Sequence, residues 1–367
     1  MALPTCLLGS NVESVLLDAI PTRVLAAAVR ALFALPRPLR RLIAGRPIQV
    51  DGQELALDAQ FLLTLNRLAT GDGLTAREPV KSRADMVSST RLIGGTPIEP
   101  VAVRDLDLDG IPARLYTPPS ANDNAPLLLF FHGGGWVIGN LDTHDNPCRF
   151  IAKHAEVKVL SVDYRLAPEH PYPAAVEDAL AAFNYAVKHA ESLGIDPTRI
   201  ALGGDSAGGN LAAVTAQQAA LTPGPKPAFQ LLFYPGTDAT VRRRSRDLFA
   251  TGYLLTDRDI DWFLNHYGPD HSTRADPRFS PLRAQDLTSL PPAYIATAGF
   301  DPLRDEGEAY ANALRAAQTP VILSRHPDLI HGYINFLAAG PRFTQALLEA
   351  TATLKAALTF SPKDPRR

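Results

Sequence analysis

The segment Gly204-Asp205-Ser206-Ala207-Gly208 follows the apolar run IALG and precedes AGGNLAAVTAQQAA, so a strand leads into a sharp turn and the turn into a helix. A GxSxG sequence in that setting forms a nucleophile elbow. The flanking glycines permit the turn, the serine Oγ is left exposed, and the helix N-terminus lies beneath it. A second segment, His132-Gly133-Gly134-Gly135, directly follows LLLFF. Three successive glycines let backbone N–H groups converge on one point, which suits the oxyanion of an acyl-transfer step. A phosphate cradle would instead need Lys, Ser or Thr in register, and Trp136 and Val137 stand there. His132 reads as an anchor of its loop rather than as a base.

A serine nucleophile needs a base, and the base needs an acid to hold one tautomer; with an elbow of this kind both follow the serine along the chain. Asp301 ends the strand AYIATAGF, whereas Asp305, Glu306 and Glu308 fall on the next helix, where Asp305 and Glu306 read as solvated. Two histidines compete as base. His326 ends the strand VILSR, while His331 lies in the loop beyond, where it can swing over the sheet toward Ser206. His266 and His271 read as surface residues.

Positioning these groups requires a sheet, and the apolar runs predict one. Two short segments, PVAVRDLDL and IPARLYTP, meet at Asp109-Gly110 as an antiparallel pair. Strands are then expected at 127–131, 157–164, 200–204, 229–234, 293–299 and 321–325, mostly separated by helical stretches. Continuous apolar strands alternating with helices predict an α/β fold, a largely parallel sheet covered on both faces. The first hundred residues read as helical, with TRVLAAAVRALFAL and ELALDAQFLLTLNRLA and no convincing strand. The divisions expected are 1–99, N-terminal helical extension and cap; 100–235, first part of the core; 236–277, a cap insertion with a helix from Asp257 to His266; and 278–367, second part of the core.

The 367 residues are 46% hydrophobic and 20% charged, enough for a large core and incompatible with disorder. A net charge of −2 supplies no global field for nucleic acid. Cys6 and Cys148 lie in unrelated contexts, and neither CxxC nor HExxH occurs, so no disulfide, metal or cofactor is implied. Residues 1–20 lack a basic n-region, and no apolar run approaches a membrane span, so a cytoplasmic location is expected. Six arginines and no acid stand between Asp18 and Asp51. That stretch reads as an Arg-rich helix capping the domain, with contact to a membrane surface or a partner as the alternative.

The combination HGGGW, DYRLAPEHPYPAAVEDA, GDSAGGN, DPLRDEG and HGY resembles the bacterial hormone-sensitive-lipase-like (family IV) carboxylesterases, an α/β-hydrolase family, over roughly residues 100–340. The resemblance implies Ser206 as nucleophile, His331 as base and Asp301 as acid. It implies an oxyanion hole of the Gly134, Gly135 and Ala207 N–H groups. Trp136 and Asp205 are expected to line the substrate site, for short- to medium-chain esters. HGY departs from the commoner HGF at Tyr333, which bears on pocket shape. Other readings are a non-catalytic receptor on the same fold, as the plant gibberellin receptor resembles this family without its histidine, and an acyltransferase with the same triad. A homodimer through the last strand is a further expectation, with Val321–Arg325 as the candidate edge.

Overall fold

Alanine, leucine and arginine at helical spacing open the computed structural model, which describes residues 22–69, 73–75 and 78–359. Cys6 and the N-terminal stretch weighed against a signal peptide lie outside the described residues. Helices α1 (Thr22–Phe33) and α2 (Arg37–Ala44) come first, separated by a break at Leu35-Pro36. A two-stranded antiparallel ribbon follows, β1 (Gln49–Val50) with β2 (Gln53–Glu54). This ribbon corrects the all-helical reading of the first hundred residues. Asp51 and Gly52 both hold positive φ, the turn that an Asp-Gly pair favours between strands. Helices α3 (Leu57–Ala69) and α4 (Pro79–Ile93) complete this region.

The remaining chain builds one eight-stranded sheet. In chain order the elements are β3 (Ala102–Asp107), β4 (Pro112–Thr117), β5 (Ala125–Phe131), α5 (Asp145–Ala155), β6 (Lys158–Val162), α6 (Ala174–Lys188), α7 (Ala190–Leu193), β7 (Ile195–Asp205), α8 (Ala207–Leu221) and β8 (Phe229–Phe233). Then follow α9 (Arg244–Leu248), α10 (Asp257–Tyr267), β9 (Ala293–Phe300), α11 (Arg304–Ala316), β10 (Val321–Ile330) and α12 (Pro341–Thr359). The strand order is β10-β9-β8-β7-β5-β6-β4-β3. β3 with β4 and β4 with β6 run antiparallel, and every other pairing is parallel. This is an α/β-hydrolase arrangement.

Strands β5, β6, β8 and β9 are buried on both faces, because helices cover each side. One apolar core joins the sheet to α6, α8 and α11; the other joins it to α3, α5 and α12. β10 is an edge strand paired only with β9, and it runs past the expected end through Ile330 with a register shift after His326. His326 therefore lies within the strand, and His331 is the first residue beyond it.

Candidate active site

β7 ends at Asp205 and α8 begins at Ala207, which leaves Ser206 alone in the turn, with φ 55° and ψ −119°. A β-carbon-bearing residue held there is strained, and the strain is borne by the surrounding packing. Gly208 permits the turn to close, since a Cβ on it would lie 1.9 Å from the Phe131 carbonyl oxygen. His331 Nε2 is 2.9 Å from Ser206 Oγ, and His331 Nδ1 is 2.8 Å from Asp301 Oδ2. Asp301 is fully buried just past β9, where its other oxygen accepts from the Leu303 N–H at 2.8 Å. The acid, base and hydroxyl thus form one hydrogen-bonded line drawn from three strand ends.

The glycine loop after β5 lies beside that line. Gly134 has φ 121°, and a Cβ there would meet the Ile138 carbonyl oxygen at 2.1 Å. Only glycine lets the loop fold this tightly. The Gly134 carbonyl accepts from Val137 and Ile138, whereas the N–H groups of Gly134 and Gly135 have no acceptor among the described residues. Ala207 is the first residue of α8, so its N–H has no partner within the helix.

Asp205 lines the cavity, but its carboxylate is engaged by the loop: Oδ1 accepts from the Gly133 N–H at 2.8 Å and lies 3.1 Å from His144 Nε2. Burial raises this carboxyl, yet His144 and the Gly133 N–H outweigh burial and hold it below its ordinary value. His132 is fully buried, stacks on Tyr164 with ring centroids 4.3 Å apart, and bonds the Gly133 carbonyl through Nδ1 at 2.8 Å. Burial pushes its imidazole down to about 3, so it stays neutral and serves the loop, not proton transfer.

Above the serine lies a cavity of about 700 Å³ whose walls come from α4, the glycine loop, α10 and the 254–255 segment. Trp136, Ile260, Phe263 and Phe279 supply apolar surface. Trp136 stacks on Tyr267, with centroids 4.4 Å apart and planes 7° from parallel.

Comparison with known proteins agrees with this geometry. The profile of the alpha/beta hydrolase fold matches residues 128–335. A carboxylic ester hydrolase, LipN, of Mycobacterium tuberculosis is 47% identical over 96% of this chain and 96% of its own length. The carboxylesterase NlhH of the same organism is 49% identical over 68% of this chain and 80% of its own. The solved ester hydrolase EH1AB1 from the metagenome of Lake Arreo, complexed with a derivative of bipyridine phosphonate, is 40% identical. It superposes with a TM-score of 0.78, covering 82% of this chain and 98% of that one. The chain belongs to the bacterial family IV carboxylesterases of the α/β-hydrolase superfamily.

In this carboxylesterase several residues sit where sequence reasoning did not place them. Glu306 is not a solvated helix residue: it lines the cavity, and its Oε1 accepts from the N–H groups of Thr237 at 2.6 Å and Asp238 at 3.3 Å. Burial pushes its carboxyl up to about 8, against the pull of those two N–H groups. Asp305 likewise accepts from the Ser245 N–H at 2.8 Å and ties α11 to α9. His326 is buried and faces Arg342, and it is His331 that bonds Ser206. His266 is partly buried, its Nδ1 2.8 Å from the Trp262 carbonyl oxygen, and His271 is exposed. Tyr333 has no part in pocket shape; its ring packs edge-on against Tyr234 in the core. His144, overlooked in the sequence, carried one signal: a histidine in the short, polar connection downstream of a glycine loop.

Proposed function

We propose that this carboxylesterase hydrolyses short- to medium-chain acyl esters with Ser206 as nucleophile, His331 as general base and Asp301 as the acid that orients it. The observation carrying this reading is the unbroken line of hydrogen bonds from Asp301 to His331 to Ser206. Ser206 Oγ bonds to the ester carbonyl carbon while its proton passes to His331 Nε2. Charge develops on the carbonyl oxygen, and the free N–H groups of Gly134, Gly135 and Ala207 stabilise it. Collapse breaks the ester C–O bond, and the leaving alkoxide takes the proton from Nε2. Water then attacks the acyl-enzyme, gives a proton to Nε2, and releases the acid as Ser206 recovers its proton. Asp301 holds the Nδ1 side of the ring and stabilises the imidazolium.

Asp205 and His144 are assigned to holding the glycine loop in register, and Trp136 to one wall of the acyl site. We read residues 1–99 and 236–277 as a two-part cap over the core segments 100–235 and 278–367. A cytoplasmic location is part of this reading. The unpaired side of β10 supports a homodimer joined edge to edge. Labelling by a fluorophosphonate probe tests the chemistry. Wild type should be labelled on Ser206 and lose ester hydrolysis in proportion, and labelling at another residue would overturn the assignment.

A further inference from the structure

Helix α2 is amphipathic in the wrong sense for a helix that packs on a protein. Two of its three arginines turn inward: Arg40 pairs with Asp58 at 2.7 Å, and Arg41 donates to Gln60 Oε1 at 2.9 Å, both on α3. Its apolar residues turn outward. Leu39, Leu42 and Ile43, spaced to share one face, are 47, 79 and 41% exposed, and no residue of the helix is buried. On α1, Val24 is 57% exposed. Isolated exposed leucines are ordinary, but a run confined to one helix face is not.

The charge beside this face is as uneven as its polarity. Residues 22–50 hold six arginines and no acid, whereas the chain as a whole carries −2, so the remainder is net acidic. Arg30, Arg37 and Arg46 are exposed and have no ion pair or side-chain hydrogen bond among the described residues. Free guanidinium groups beside outward leucines match a surface that is anionic at its headgroups and apolar just below them. A second copy of the chain would bring the same arginines face to face with no acid to meet them.

We propose that α1 and α2 form a docking face for an anionic phospholipid bilayer, with Leu39, Leu42 and Ile43 entering the interface and Arg30, Arg37 and Arg46 meeting phosphates. α1 packs on α4, a wall of the cavity, so the docked enzyme holds its substrate site one helix away from the lipid.

The test is co-sedimentation of the full chain with vesicles of phosphatidylcholine alone or mixed with phosphatidylglycerol. Binding should require phosphatidylglycerol, weaken at least tenfold on raising salt from about 0.05 to 0.5 M, and fall at least tenfold in the double variant Leu42→Asp with Ile43→Asp. That variant should hydrolyse a soluble ester at the wild-type rate, which shows that it folds. The Ser206→Ala variant should bind vesicles undiminished, which separates docking from catalysis. Absence of binding to either vesicle overturns the proposal. So does a concentration-dependent rise in mass that the double variant abolishes, since the face would then cover a second copy.

Discussion

As the proposed nucleophile, base and acid, Ser206, His331 and Asp301 should on replacement act on rate without unfolding the chain. Ser206→Ala or His331→Ala should lower kcat by on the order of 10³ to 10⁶, with the circular dichroism spectrum unchanged. Asp301→Asn should cost on the order of 10⁴, because an amide donates where the carboxylate accepts and turns the imidazole to the other tautomer. Asp305→Asn should be mild by comparison, and the reverse ranking would move the acid to Asp305. Glu306 offers a different measurement. Its carboxyl lies near 8 in the folded enzyme, against an ordinary 4.5. Between those values the unfolded chain releases the proton and the folded enzyme keeps it, so stability falls as pH rises through about 8. The contribution is complete below about 4.5. Glu306→Gln, which keeps an acceptor for Thr237 and Asp238 but cannot ionise, should flatten the fall of Tm across that window. Equal slopes for variant and wild type would show that Glu306 does not titrate there.

Elements carry the next level, and the joint between α10 and the N-terminal region is the most exacting. Asp259 is fully buried and accepts from the N–H groups of Leu74, Thr75 and Thr256 and from the hydroxyls of Thr75 and Thr256. It therefore caps its own helix and fastens residues 74–75 to it. Asp259→Ala leaves several buried donors without partners and should cost roughly 3 kcal/mol in chemical denaturation. KM should rise with it, because Ile260, Phe263 and Leu264 of α10 line the cavity. The helix itself was legible, since Thr256 and the acids that follow precede an apolar stripe. Its partner was not, because nothing local marks residues 73–75 as the mate of a helix so distant in sequence. The proposed triad could be read for the opposite reason: Ser206, Asp301 and His331 each follow a strand, and apolar strand runs are the strongest local pattern in the chain. The β1–β2 ribbon escaped notice because two residues a side leave no room for alternation, although Asp51-Gly52 announced the turn. Glu306 escaped because an acid in the first turn of a helix is usually solvated, and only the fold reveals that the 235–238 loop covers it.

At the scale of the molecule, the cavity takes its walls from α4, α10 and the glycine loop, and its volume limits what fits. Each further methylene buried against Trp136, Phe263 and Phe279 gains about 0.8 kcal/mol until the walls are reached. The kcat/KM for soluble aryl esters should climb from acetyl to butyryl or hexanoyl and decline for longer chains. A maximum at sixteen carbons would show that these walls do not bound the acyl chain. The edge strand β10 makes the mass of the native particle a second measurement, by light scattering: a dimer that Ile322→Lys converts to a monomer would locate the interface there.

The joint between Leu74 and Asp259 also has a consequence for biosynthesis. The Asp259 carboxylate that grips Leu74 is encoded 185 residues later, so the N-terminal helices leave the ribosome long before α10 exists. Nor can Ser206 reach its partners sooner, since His331 follows it by 125 positions. A nascent chain cut short before His331 lacks the proposed base and should show no ester hydrolysis. With His331 as the base, activity should arrive only once that residue has been translated, after the walls of the cavity have been raised around Ser206.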